Sequence, residues 1–172
     1  MQTRAALIDQ NRTFNEPCYA TVFYGRPRIQ RIAMCDFKRV SPRILSLPSP
    51  TLHPAVEVRI ELLKPVLGAS LPNHVFEHLK GRMLVPGNVD QLIALASKFS
   101  QYHYHGLIVA LGSMMICKHG ARLFPALHME DDGELVLALV PAPPKGQPWD
   151  PRCRFIGYRE GNGFGLWPPS LR

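Results

Sequence analysis

Many of the patterns that usually betray a function are absent from this chain of 172 residues. Its four cysteines, Cys18, Cys35, Cys117 and Cys153, form no CxxC pair, which removes the zinc-ribbon and dithiol redox patterns. No GxGxxG opens a helix and there is no P-loop, so the familiar backbone cradles for nucleotide phosphates are not written here. GxSxG and HExxH are missing too, and with them the nucleophile elbow and the helical zinc-protease site. The longest apolar run, Leu107 to Cys117, is about 11 residues, where a spanning helix needs about 20. The opening MQTRAALIDQNRTF lacks the apolar segment of a signal peptide. The expectation is a cytoplasmic protein with reduced thiols, no membrane partner, no metal and no cofactor.

Proline and positive charge are what the chain has in excess. Seventeen prolines are about 10% of residues, roughly twice ordinary usage. Proline interrupts helices and central strands, so short elements joined by stiff connections are expected. Twenty Lys and Arg against 13 Asp and Glu give a net charge of +7, which favours an anionic partner such as nucleic acid or an acidic protein. The 46% apolar content and the length suit a single domain able to bury its own core.

Residues 1–16 are mostly polar and read as a short helix or a loose arm. CYATVFYG, Cys18 to Gly25, is aromatic and β-branched and reads as a strand. After the RPR turn, Ile29 to Phe37 reads as a second strand antiparallel to it. Lys38 to Pro54 carries four prolines and is expected to be an extended surface loop. VEVRIELL alternates strictly, with Val56, Val58, Ile60 and Leu62 on one face and Glu57, Arg59 and Glu61 on the other, as a half-solvated strand does. NHVFEHLKGRM and NVDQLIALASKFSQY carry apolar residues at helical spacing, and Asn88 with Gln91 makes a capping box.

HGLIVAL and MMICKHG are expected to pair around Gly112-Ser113. RLFPALHM and ELVLALV are expected to pair around EDDG. Residues 141–151 form a proline-rich connector, CRFIGYRE is a last strand, and 160–172 is a Gly/Pro-rich tail anchored by Trp167. The fold class is therefore α+β: one domain with a mainly antiparallel β-sheet and two α-helices packed on one face.

Three groups of residues invite a chemical reading. In QYHYHGLIVALGSMMICKHG, His103, His105, Cys117 and His119 resemble a four-ligand set. A two-residue turn at Gly112-Ser113 puts the pairs on opposite faces. A three-residue loop puts them on one face but leaves His103 and Cys117 about 20 Å apart along the ladder. Zinc needs all its ligand atoms within about 2.3 Å, so no metal cage results. A His105–His119 neighbour pair remains as a candidate acid/base couple. His74 and His78, four apart on a helix, are polar neighbours that need no metal, and the acidic MEDDGEL stretch is explained by a solvated turn.

The other two groups are basic. Between Tyr19 and Arg43 lie Arg26, Arg28, Arg31, Lys38, Arg39 and Arg43 against one acid, Asp36, interleaved with Tyr19, Phe23, Tyr24 and Phe37. Cations neutralise phosphates and aromatic rings stack on unpaired bases. Near the end, Arg152, Arg154 and Arg159 sit among glycines that can present backbone N–H groups to a phosphate. The leading expectation is a small, non-catalytic nucleic-acid-binding subunit of a larger assembly, with these nine basic residues as its contacts. One alternative is an interaction module docking an acidic protein. The other is a metal-independent ribonuclease-like enzyme using His105 and His119.

Overall fold

The computed structural model describes residues 17–50, 55–65, 72–98, 106–144 and 147–160. Nine strands form one sheet: β1 (Cys18–Val22), β2 (Phe37–Val40), β3 (Val56–Leu63), β4 (Val85–Pro86), β5 (Ile108–Val109), β6 (Met115–Ile116), β7 (Arg122–Met129), β8 (Leu135–Pro141) and β9 (Arg154–Glu160). Their spatial order is β1-β3-β9-β5-β7-β8-β2, with β4 on β9 and β6 on β7. Two pairs, β2–β8 and β5–β9, run parallel and the other six antiparallel. The helices are α1 (Arg28–Ala33), α2 (Pro72–Gly81) and α3 (Val89–Ala96).

Strand alternation divides the sheet into two covered faces. Ala20, Val22, Val58, Ile60, Ile156, Ile108, Leu127 and Leu137 point one way and bury Val89, Leu92, Ile93 and Ala96 of α3. Leu63, Phe155, Val109, Ala126 and Phe124 point the other way and meet Val75 and Leu79 of α2. The expected placement of both helices on one face is therefore corrected: α2 and α3 lie on opposite faces. Trp149, only 5% exposed, seals the α2 face with its ring 5.2 Å from Phe155 and 6.4 Å from Phe124. The proline-rich connector thus supplies a core residue. Trp167 lies outside the described residues.

Several segments follow the sequence. β3 spans the alternating stretch, β7 and β8 pair from Met129↔Leu135 to Leu123↔Pro141, and Gly133 closes their turn at φ 86°. The capping box of α3 is complete. The Asn88 side chain accepts from the N–H of Asp90 and Gln91, and Gln91 Oε1 accepts from the Asn88 N–H at 2.8 Å.

Other segments depart from it. Ile29 to Phe37 is not a strand: Arg28–Ala33 is helical, and β2 pairs with β8 at the far end of the sheet from β1. The basic N-terminal hairpin does not exist. The loop from Lys38 holds β2 and a 3-10 helix, Pro42–Ser46, whose Ile44 is fully buried. β5 and β6 do not pair with each other. Both lie along β7, because Gly112 turns the chain away to pack on backbone, its N–H donating to the Gly87 carbonyl at 2.9 Å. Beside it, Ser113 Oγ accepts from the N–H of Val89 at the start of α3.

Helix α2 ends in a Schellman motif. The Leu84 N–H donates to the Leu79 carbonyl and the Met83 N–H to that of Lys80, while Leu79 and Leu84 pack in the same core cluster. The left-handed residue of the motif is Met83, at φ 55° and 68% exposed, where glycine is usual.

Candidate functional site

Two of the nine basic residues are not surface residues. Arg28 and Arg31, one turn apart on α1, are buried and converge on Asp90 of α3, which is fully buried. Arg28 Nε lies 3.0 Å and Arg31 Nη2 2.9 Å from Asp90 Oδ1, and the Ser49 hydroxyl donates to Oδ2 at 2.5 Å. Arg28 also donates to the carbonyls of Ile44, Leu47 and Pro48. This cluster ties α1, the 3-10 segment and α3 together. Arg28 and Arg31 are thus buried against Asp90 and not displayed on the surface.

Lys38 and Arg39 meet the acidic turn between β7 and β8. Lys38 Nζ is 2.5 Å from Asp132, 2.8 Å from Glu134 and 3.3 Å from Glu130, and Arg39 pairs with Glu130. The lysine lowers the Asp132 carboxyl below its ordinary range, and the carboxylates raise the Lys38 ammonium. With three acids around two cations, this end of the sheet is not a phosphate surface.

Arg26 sits over the Phe23 ring, 5.0 Å from its centroid. Arg43 is exposed on the 3-10 segment. Arg152 pairs with Asp150 at 2.9 Å, and Arg154 donates to the carbonyls of Pro151 and Cys153.

Of the histidine pair, His105 lies outside the described residues, and His119 is exposed in the turn where the Cys117 N–H donates to the Ala121 carbonyl. Among the described residues no group of three or more His, Cys, Asp or Glu side chains is placed to hold a metal ion. A cleft of about 180 Å³ lined by His128, Asp150, Arg152 and Cys153 brings together residue types found in thiol hydrolases. Burial, with Asp150 nearby, pushes the Cys153 thiol up to about 11. A thiol this weakly acidic is not a poised nucleophile near neutral pH.

The strongest constellation was read in the sequence only as the solvated face of β3. Arg59 on β3 stands directly opposite Arg159 on β9. Like charges so placed repel, with Cβ atoms about 5 Å apart. Glu61, two residues along β3, is the counter-charge, its side chain 9% exposed. Arg59 Nη2 is 3.4 Å, Arg82 Nη2 3.6 Å and Arg159 Nε 3.8 Å from its carboxylate.

Charge-assisted hydrogen bonds run at about 2.7–2.9 Å, so three guanidinium groups share one carboxylate without bonding it closely. The Nε atoms of Arg59 and Arg159 are buried and have no hydrogen-bond acceptor among the described residues. Arg159 Nη2 donates to the Arg82 carbonyl at 2.7 Å, tying β9 to the end of α2. The cluster has two positive charges in excess of its one carboxylate. Arg159 is the one member expected as a contact from sequence; Arg59 and Arg82 were missed.

Tyr19 extends the same row. It pairs with Arg59 across β1–β3, so Tyr19, Arg59 and Arg159 are consecutive on one face, and Tyr19 is 55% exposed. The next row holds Thr21 opposite Glu57, both exposed.

Compared with protein-family models, with curated proteins and with solved structures, the chain matches none. Among the described residues no helix is long and apolar enough to cross a membrane.

Proposed function

We propose that this protein is a non-catalytic nucleic-acid-binding protein, serving as a subunit of a larger assembly, whose contact surface is the Arg59–Arg82–Arg159 cluster. The observation that carries it is the unsatisfied charge: three part-exposed arginines share one carboxylate at 3.4–3.8 Å. A phosphate supplies the missing negative charge to side chains that are 40%, 52% and 38% exposed, and guanidinium forks suit it. Arg26, Arg43, Arg152 and Arg154 remain candidate outer contacts. Arg28, Arg31, Lys38 and Arg39 are excluded by their partners inside the chain.

Fluorescence anisotropy of a labelled oligonucleotide, titrated from low to moderate salt, tests the proposal. Binding is expected to weaken linearly on a log–log plot, and the triple variant R59Q/R82Q/R159Q is expected to flatten the slope by about two. Absence of binding at low ionic strength, or an unchanged slope in that variant, overturns it. Stoichiometric co-purification of an acidic protein lost in the same variant would instead make this face a protein-docking surface.

A further inference from the structure

Resting on that reading, we infer that the nucleic acid is single-stranded, with a base stacked on Tyr19 and its backbone running over Arg59 and Arg159 toward Arg82. The three strands β1, β3 and β9 present Tyr19, Arg59 and Arg159 as one unbroken cross-strand row. Adjacent strands are about 4.8 Å apart, so the row spans roughly 10 Å, the scale of one or two nucleotides. A ring at one end and cations along the rest is the division of labour that single-strand binders use, with bases on aromatic faces and phosphates on arginines.

The polarity of the row is set by its neighbours. Glu57, exposed one row away and two residues from Arg59, repels phosphate, so the backbone is steered away from it and toward the end of α2. There Arg82 is followed by Met83, held exposed in the left-handed region that a methionine rarely occupies. Such backbone strain is disproportionately found at binding sites. A duplex cannot use this arrangement. Its bases are stacked on one another and offer no face to Tyr19, and reading a groove needs a helix or ribbon that enters it, whereas Tyr19, Arg59 and Arg159 belong to the sheet itself.

Tyr19 is accessible, and its backbone carbonyl, not its ring, accepts from Lys98, so side-chain variants keep the strand intact. The experiment compares a labelled dT30 strand with the dT30·dA30 duplex in wild type, Y19F, Y19A and R59Q/R159Q. The single strand is expected to bind roughly ten-fold or more tighter than the duplex. Y19A is expected to lose roughly ten-fold or more for the single strand with an unchanged salt slope, and Y19F to retain it, because the ring and not the hydroxyl stacks. R59Q/R159Q is expected to flatten the slope. Equal binding of duplex and single strand, or an unaffected Y19A, overturns the single-strand inference while leaving nucleic-acid binding standing. Failure of both probes to bind at low salt removes the underlying reading as well.

Discussion

Replacing Asp90 with alanine removes the carboxylate that two buried guanidinium groups share, and the loss is expected to be large. Arg28 would keep three carbonyl acceptors, those of Ile44, Leu47 and Pro48. Arg31 would lose its ion pair, and its Nε and Nη1 already have no acceptor. Removing one partner of a buried ion pair costs about 3–5 kcal/mol, because an uncompensated charge stays behind. With two charges stranded, about 4 kcal/mol is expected for D90A, a substantial part of the 5–15 kcal/mol that typically holds a domain together. That corresponds to a fall in Tm of roughly 8–16 °C for a protein of this size. Much of the loss is the orphaned Arg31, so R31M added to D90A should recover about 2 kcal/mol. Urea unfolding followed by circular dichroism of D90A, R31M and the double variant measures this. A D90A loss below about 1 kcal/mol, or a double variant as unstable as the sum of the singles, would refute the reasoning.

Three further outcomes follow from the same geometry. M83G relieves a left-handed methionine at the Schellman position and should raise stability by about 1 kcal/mol in thermal unfolding. G112A places a methyl carbon 2.4 Å from the Pro86 carbonyl oxygen and 2.9 Å from that of Gly87, and backbone cannot rotate aside. A loss of about 3 kcal/mol in urea unfolding is expected. Burial raises the Cys35 and Cys153 thiols from 9.0 to about 11. Their contribution is complete below pH 9 and is lost as pH rises from 9 to 11, because the unfolded thiols ionise first. Urea midpoints should therefore fall between pH 8 and 10.5, and C35A/C153A should reduce that fall.

Local signals were legible, and long-range pairing was not. The alternation of Val56 to Leu63, the Asn88–Gln91 cap and the turn at Gly133 each specify their element from within a few residues. Arg28 to Ala33 reads equally well as a strand, because Ile29 and Ile32 are β-branched. What makes it a helix is that Arg28 and Arg31, three apart, share one partner, Asp90, about sixty residues later in the chain. The same limit hid the candidate site. Arg59 and Glu61 looked like an ordinary solvated strand face, and only the insertion of β9 beside β3 sets Arg159 against Arg59 and ties it to Arg82. The excess basic charge in the sequence did point to an anionic partner as an expectation, but its densest stretch, Arg26 to Arg43, is the part most engaged with acids of its own chain.

The position of β9 also shapes how the chain reaches its fold. It is the last in sequence of the described strands, yet it lies mid-sheet, joining β1-β3 on one side to β5-β7-β8-β2 on the other. Among the described residues, those two halves share no ladder until residues 154–160 arrive. During synthesis at about 5–20 residues per second, the nascent chain carries the unpaired edges of β3 and β5 for several seconds. Closure by a late, central strand raises contact order, and folding should be slow for a domain of this size. The same late step completes the arginine row, so binding competence and the final sheet closure should emerge in one kinetic phase.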